Sequence, residues 1–207
     1  MNQVSDFKLG ILVSGRGTNL QAIIDSIEKK DLNAKIVLVI SNIRDAAALE
    51  RCRKHGIESR FLDPAQSPDK KQYDLTLAEL LRDKGVDLIC LAGYMRILGK
   101  SFIREYQGKI VNIHPSLLPA FPGLDAQRKA VEAGVKFSGC TVHFVNEQVD
   151  AGLIILQSTV PVYDSDDTEK LSQRILEQER LIYPKAIKLV MENKLVIKGN
   201  RVSLKDV

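Results

Sequence analysis

Residues 9–24 read LGILVSGRGTNLQAII. Leu9 to Val13 is a short apolar run, and Ser14-Gly15-Arg16-Gly17 closes it. From Asn19 to Lys30 the apolar residues Leu20, Ile23, Ile24 and Ile27 recur on one helical face. A strand, a glycine turn and a helix therefore open the chain. Two glycines let backbone approach a ligand closely, and the helix start beyond them offers unpaired N–H groups to an anion. The simplest functional reading is a single phosphate held by the N–H groups around Gly17, Thr18 and Asn19. The same glycines could serve only a tight turn, and the loop alone does not decide. A dinucleotide fingerprint needs a third glycine where Leu20 stands, and no P-loop lysine follows. Neither NAD nor ATP is supported.

Downstream the alternation continues. Lys35 to Ile40 (KIVLVI) reads as a strand buried on both sides, Asp45 to His55 as a helix capped by Gly56, and Glu58 to Leu62 as a short strand. Asp69 to Lys84 is helical and ends at Gly85; Asp87 to Ala92 and Lys109 to Ile113 are the fourth and fifth strands. Beyond residue 122 the rhythm changes. A short helix over Ala126 to Ala133 precedes strands over Ser138 to Val145 and Leu153 to Val160, joined by NEQVDAG, a link short enough for an antiparallel pair. Asp167 to Met191 is a long helix with a bend expected at Pro184, and LVIKGNRVSL is a hairpin around Lys198-Gly199-Asn200. The expected fold is α/β: a doubly wound, mostly parallel, Rossmann-like sheet with an antiparallel C-terminal portion. With no repeat or linker in view, residues 1–207 are expected to form a single domain.

Composition narrows the partners. At 44% hydrophobic and 27% charged, the chain can fill a substantial core. A net charge of +4 suits an anionic small molecule but is too small to argue for nucleic acid, and no Lys/Arg run is interleaved with aromatics. Cys52, Cys90 and Cys140 are odd in number with no CxxC spacing, which encodes neither a zinc knuckle nor a redox pair and points to a reducing compartment. The N-terminal apolar stretch is too short for a signal peptide, and the longest apolar run, Leu88 to Met95, is far below a membrane span. The expectation is a soluble, cytoplasmic protein with no membrane partner.

Ile110 to Pro122 reads IVNIHPSLLPAFP. Side chains two apart on a strand face the same way, so Asn112 and His114 point together beyond the strand end that Pro115 imposes. Ligands of open α/β sheets bind beyond the carboxyl ends of the strands. An amide that donates to a developing oxyanion and an imidazole that moves a proton suit that place. A packed core histidine and a turn-forming asparagine are the plain alternatives. Asp150, in NEQVDAG, is a candidate to orient the imidazole, or an ordinary turn aspartate before Gly152. His143, mid-strand, reads as packed or supporting, and His55 lies at a helix C-terminus.

SGRGTNLQAII, SN at 41–42, LAGYMRIL, NIHPSLLPAFPG, TVHFVNEQVDAG and QERLIYP together resemble, in order and spacing, the phosphoribosylglycinamide formyltransferase family of the folate-dependent formyltransferase superfamily. The resemblance runs from about Leu9 to Ile187. It implies transfer of a formyl group from 10-formyltetrahydrofolate, as cosubstrate, to the amine of glycinamide ribonucleotide in purine synthesis. It implies Asn112, His114 and Asp150 as the catalytic trio and Gly17, Thr18 and Asn19 as the ribonucleotide phosphate cradle. Glu179 falls at the position that contacts the ribose. Met95, Arg96, Ile97 and Leu98 fall in the segment lining the folate pocket, with Asn112 also contacting the folate, and residues 146–150 in the loop that closes on the pterin. Lys70 stands where the family often has arginine, keeping charge for the folate tail without a planar fork. Leu153 replaces a frequent proline. The implied partners are the two small molecules, with no metal, in a monomer or weak homodimer.

On that reading His114, as imidazolium, and Asn112 stabilise the oxyanion, and Asp150 raises the histidine pKa by charge pairing. The nearest rival is a 10-formyltetrahydrofolate hydrolase, which shares the trio but passes the formyl group to water and usually carries an extra N-terminal domain. A methionyl-tRNA formyltransferase needs a C-terminal RNA-binding domain, where this sequence has a hairpin. A non-catalytic nucleotide-binding module would need only the glycine loop.

Overall fold

The computed structural model describes residues 7–205, so the N-terminal MNQVSD that the leader argument began from lies outside the described residues. The order is β1 (Lys8–Val13), α1 (Thr18–Glu28), β2 (Lys35–Ser41), α2 (Ala47–Lys54), β3 (Ser59–Phe61), α3 (Lys70–Asp83), β4 (Leu88–Leu91), α4 (Lys100–Glu105) and β5 (Ile110–His114). It continues with α5 (Ala126–Glu132), β6 (Phe137–Phe144), β7 (Ile154–Pro161), α6 (Thr168–Met191), β8 (Leu195–Lys198) and β9 (Arg201–Leu204). Seven strands form one sheet in the order β3-β2-β1-β4-β5-β6-β7, and β8 and β9 form a separate pair. The fold is the doubly wound, mostly parallel, Rossmann-like α/β arrangement with an antiparallel C-terminal portion that the sequence predicts.

Two compact units divide the chain within β5, one ending at Val111 and the other beginning at Asn112. In the first, β1 runs parallel to both β2 and β4, and β2 parallel to β3. Leu9, Ile11, Leu12, Val13, Leu38, Val39, Ile40 and Ile89 are fully buried, as continuous apolar strands covered on both faces must be. Strand order reverses between β1 and β4, the place where open α/β sheets leave a crevice beyond the strand ends. Asp69 caps α3 by accepting from the Gln72 N–H at 2.8 Å. Helix α4 is absent from the sequence reading: its six residues, KSFIRE, bury Phe102 and Ile103 side by side and end before the apolar pattern can repeat.

In the second unit β6 and β7 pair antiparallel, as the short NEQVDAG link allows. Helix α6 lays Leu171, Ile175, Glu179, Tyr183 and Ile187, each four residues apart, on its buried face. Pro184 lies inside α6 without ending it. The Asp167 carboxylate caps its start by accepting from the Lys170 N–H at 2.8 Å. Just ahead, Arg174 donates to both Asp166 oxygens at 2.7 and 3.0 Å and to the Pro161 carbonyl, and its guanidinium stacks on Tyr163. Hydrogen bonds from Arg174 and from the Tyr163 N–H hold the Asp166 pKa down at about 2.

A depressed carboxylate pKa stabilises the fold above its unfolded value and ceases to do so as pH falls through the folded one. Asp166→Asn should therefore lower Tm at pH 7, with the gap from wild type closing between about pH 4 and pH 2. Thermal melts across that range check it, and a pH-independent gap would contradict the ion-pair account.

Candidate active site

The second unit gathers a cluster at the end of β5. Asn112 and His114 leave the strand on the same side, as their two-residue spacing requires. The Asp150 carboxylate is the centre of the cluster. Its Oδ2 accepts from the Gly123 N–H at 2.8 Å and lies 3.3 Å from His114 Nδ1. Its Oδ1 faces Asn112 Nδ2 at 3.5 Å and His143 Nε2 at 3.7 Å. Asn112 Nδ2 also lies 3.2 Å from His143 Nε2. His143 Nδ1 is 2.8 Å from the Phe144 carbonyl, an acceptor, so Nδ1 carries the proton and Nε2 accepts from the Asn112 amide. The structure thus brings Asn112, His114 and Asp150 together, and places His143 behind Asn112 and Asp150.

Two loops make this possible. Asp150 sits at φ 51°, in the left-handed region that aspartate tolerates better than most residues. At Gly152 a Cβ would stand 1.7 Å from the Phe144 carbonyl oxygen, so only glycine lets the 146–152 loop return so close to β6. Asn146 braces the loop from inside, donating to the Ala151 carbonyl and accepting from the Gln148 N–H. On the other side, Phe121 adopts φ 52°, an unfavourable conformation for an aromatic residue, and its carbonyl faces His114 Nε2 at 2.9 Å. The sequence reading did not reach the Phe121 carbonyl or the Gly123 N–H. Both are backbone groups, and the only signal for them is the run of prolines in PSLLPAFPG.

Desolvation is the largest influence on His114 and lowers its pKa below the ordinary histidine value, although the Phe121 carbonyl and the Asp150 charge both favour the protonated ring. Asp150 does favour the charged ring, as expected, but His114 is 5% exposed, and the cost of burying its charge outweighs the neighbouring carboxylate, so the ring is not the resting imidazolium the sequence reading assigned. Desolvation pushes Asp150 the other way, upward, but the adjacent His143 ring, the hydrogen bond from the Gly123 N–H and the charge of His114 prevail and hold its carboxyl below the usual range.

The first unit carries the other predicted residues. Gly17 sits at φ 70°, and a Cβ there would meet the Ala48 Cβ at 2.7 Å. The loop is pinned to α2: the Ala48 N–H donates to the Gly15 carbonyl at 3.1 Å and Arg51 Nε to the Arg16 carbonyl at 2.9 Å. No side chain caps the first turn of α1, whose N–H groups begin at Thr18 and Asn19. Met95 and Ile97 are 65% and 67% exposed, whereas Leu98 is buried and serves as an anchor. Arg96 stacks on the Tyr73 ring at 4.5 Å. The exposed Lys70 opens α3 and borders a cavity of about 320 Å³ lined by Asp74, Gly99 and Phe102. Glu179, in the second unit, is only 7% exposed on the buried face of α6; burial of the Cys140 thiol, and after it the charge of Glu179, push that thiol up to about 12. A carboxylate in the middle of an apolar helical stripe is a signal that periodicity alone offers. Among the described residues no group of three His, Cys, Asp or Glu is placed to hold a metal ion, and no helix is long and apolar enough to cross a membrane.

NMR titration of the His114 ring should give a pKa below 6.5 in the wild type and a lower one in Asp150→Asn, which removes an influence favouring the charged form. A wild-type value above 6.5 would contradict the dominance of burial.

The chain matches the formyl transferase family over residues 7–187. It is 45% identical over 193 residues to the phosphoribosylglycinamide formyltransferase of Haemophilus influenzae, covering 93% of this chain and 91% of that protein. It is 46% identical over 188 residues to the trifunctional purine biosynthetic protein adenosine-3 of Gallus gallus, where 91% of this chain spans only 19% of the relative's length. The crystal structure of glycinamide ribonucleotide transformylase 1 from Symbiobacterium toebii superimposes with a TM-score of 0.96 at 50% identity, covering 99% of this chain and 96% of that one. The chain belongs to the formyl transferase family, among its phosphoribosylglycinamide formyltransferases.

Proposed function

We propose that this chain, acting as a single formyltransferase domain, transfers the formyl group of 10-formyltetrahydrofolate to the amine of glycinamide ribonucleotide. The products are N-formylglycinamide ribonucleotide and tetrahydrofolate, a step of de novo purine biosynthesis. The observation that carries the reading is the partly buried Asp150 carboxylate with His114, Asn112 and His143 around it, in a chain of this family.

The substrate amine attacks the formyl carbon, a C–N bond forms, and the carbonyl oxygen becomes negative. The bond from that carbon to N10 then breaks. One proton leaves the amine and one arrives at N10. A ring that burial keeps neutral at rest can receive the first proton, and Asp150 favours the imidazolium that results. The imidazolium and the Asn112 amide then supply donors for the oxyanion, each worth roughly 3 kcal/mol. In the free protein both His114 nitrogens face protein acceptors, so the formyl oxygen competes with the Phe121 carbonyl for the ring.

The binding residues fit their assigned ligands. The helix start at Gly17, Thr18 and Asn19, entered from a glycine that brings no side-chain cap, suits a phosphate. Met95 and Ile97 offer exposed apolar side chains to a flat ring, Leu98 holds their segment in the core, and Arg96 and Lys70 supply charge for a carboxylate tail. The ribose is assigned to Glu179.

A spectroscopic assay with 10-formyltetrahydrofolate, run with and without glycinamide ribonucleotide, tests the proposal. Folate consumption that requires the ribonucleotide is expected; consumption without it would make the protein a hydrolase, and none at all would remove the transferase reading. His114→Ala and Asp150→Ala should each cut kcat by about 100-fold or more with the fold retained, and near-wild-type turnover in either would sink the assignment. Gly15→Ala is a separate probe. Open space surrounds the position where its Cβ would stand, so the chain itself does not require glycine there. A phosphate approaching the loop would, and the variant should raise the ribonucleotide KM about tenfold at unchanged Tm.

A further inference from the structure

Ser14 lies at the exit of β1, between the glycine loop and the turn that follows β4, beside the reversal in strand order. It makes three hydrogen bonds to two other strand ends. Its N–H donates to the Gly93 carbonyl at 3.0 Å, and its Oγ accepts from the Met95 N–H at 2.8 Å. The same Oγ donates to Asn42 Oδ1, just beyond β2, at 2.5 Å. One hydroxyl therefore joins the outlets of β1, β2 and β4. Its backbone leads straight into Gly15, Arg16 and Gly17, and its acceptor lone pair fixes the first residue of the Met95–Leu98 segment. The far end of that segment is fixed separately, by the Gly99 N–H donating to Asp74 Oδ2 at 2.8 Å.

We infer that Ser14, supported by Asn42, is a positioning residue that sets the phosphate-binding loop and the folate-lining segment relative to one another, so that both cosubstrates depend on one hydroxyl. The inference rests on the proposed function. A hydrogen bond to a backbone N–H holds the chain itself, so losing it frees the segment and not merely one side chain. The Met95 amide, once without its acceptor, no longer presents Met95 and Ile97 at a fixed height. The loop, once without the hydroxyl bonds to Met95 and Asn42, keeps only the backbone bond from the Ser14 N–H to Gly93 and no longer holds its N–H groups against the same reference. Asn42 orients the hydroxyl: by accepting its proton, it leaves the lone pairs toward Met95.

The test is steady-state kinetics with both cosubstrates varied, beside thermal melts. Ser14→Ala should raise the KM for 10-formyltetrahydrofolate and the KM for glycinamide ribonucleotide together, each at least fivefold, and Ser14→Thr, which keeps a hydroxyl, should restore both. A merely structural serine would lower Tm and leave both KM values within twofold of wild type, which overturns the inference. A rise in only one KM overturns it equally, because the hydroxyl would then serve a single site. Should Ser14→Ala fail to fold, Asn42→Ala gives the same reading, with both KM values expected to rise by a smaller factor and unchanged values again overturning it. Calorimetric binding of tetrahydrofolate and of glycinamide ribonucleotide to the wild type separates the two levels. A wild type that binds neither ends the functional reading and this inference with it, whereas one that binds both beside an unaltered Ser14→Ala ends this inference alone.

Discussion

A carboxylate held where carboxylates are costly organises the second unit. Asp150 keeps its charge in a site where its side chain is only 12% exposed, and a charge so placed needs compensating donors. The fold supplies them from separate pieces of chain: the Gly123 N–H, the His114 ring and the Asn112 amide. None is available without a second constraint. Gly123 reaches Asp150 only because the proline loop turns through Phe121 at positive φ, and Asp150 arrives at the cluster only because Gly152 lets its loop pass within contact of the Phe144 carbonyl. Left-handed backbone at two non-glycine residues costs on the order of 1 kcal/mol or more each. Lys30, Asp125 and Asn193 share that backbone region elsewhere, but these two residues sit where the charge is and bring its partners to it.

The same burial that makes Asp150 need partners decides the state of His114. Two effects compete there, the attraction of the carboxylate and the loss of water around the ring, and the second prevails. A permanently cationic histidine would suit an oxyanion but could not take a proton from the attacking amine. A neutral ring flanked by two acceptors can do both in turn: it takes the proton as charge develops, and Asp150 and the formyl oxygen then make the imidazolium favourable. His143 contributes differently. Its proton is spent on the Phe144 carbonyl, which leaves Nε2 to accept from Asn112 and fixes which face of that amide is presented.

Much of the fold was legible because its signals are local. Apolar β-branched runs such as KIVLVI and helices ended by glycine mark their own boundaries, and the structure places them within a few residues of the expected limits. Helix α4 was not legible, being too short to display a period. In the cluster, the two-residue spacing of Asn112 and His114 gave their shared direction, and the short NEQVDAG link gave the antiparallel pair that carries Asp150. The direction of the His114 pKa was not legible. A sequence shows which charges exist but not how much water surrounds them, and here desolvation outweighs the pairing. Contacts made by backbone, from Phe121 and Gly123, are equally silent, because any residue carries an N–H and a carbonyl.

The first unit solves a different problem, fixing groups that must stay open to solvent. Met95 and Ile97 expose large apolar surfaces, which no core packing holds in place. The segment is instead secured at its two ends through its own amides, Met95 to Ser14 and Gly99 to Asp74, with Leu98 buried between them. The glycine loop follows the same rule: α2 grips its carbonyls at Gly15 and Arg16, and Gly17 at the N-cap brings no side-chain cap to the helix that follows. Ordering a loop on binding subtracts from affinity, so a surface whose backbone is already tied down loses less when a ligand arrives. Holding the backbone by hydrogen bonds while leaving apolar side chains unburied costs some stability in the free protein. It also yields a preformed surface, and that is why the most exposed apolar residues of this unit lie on one of its most firmly anchored segments.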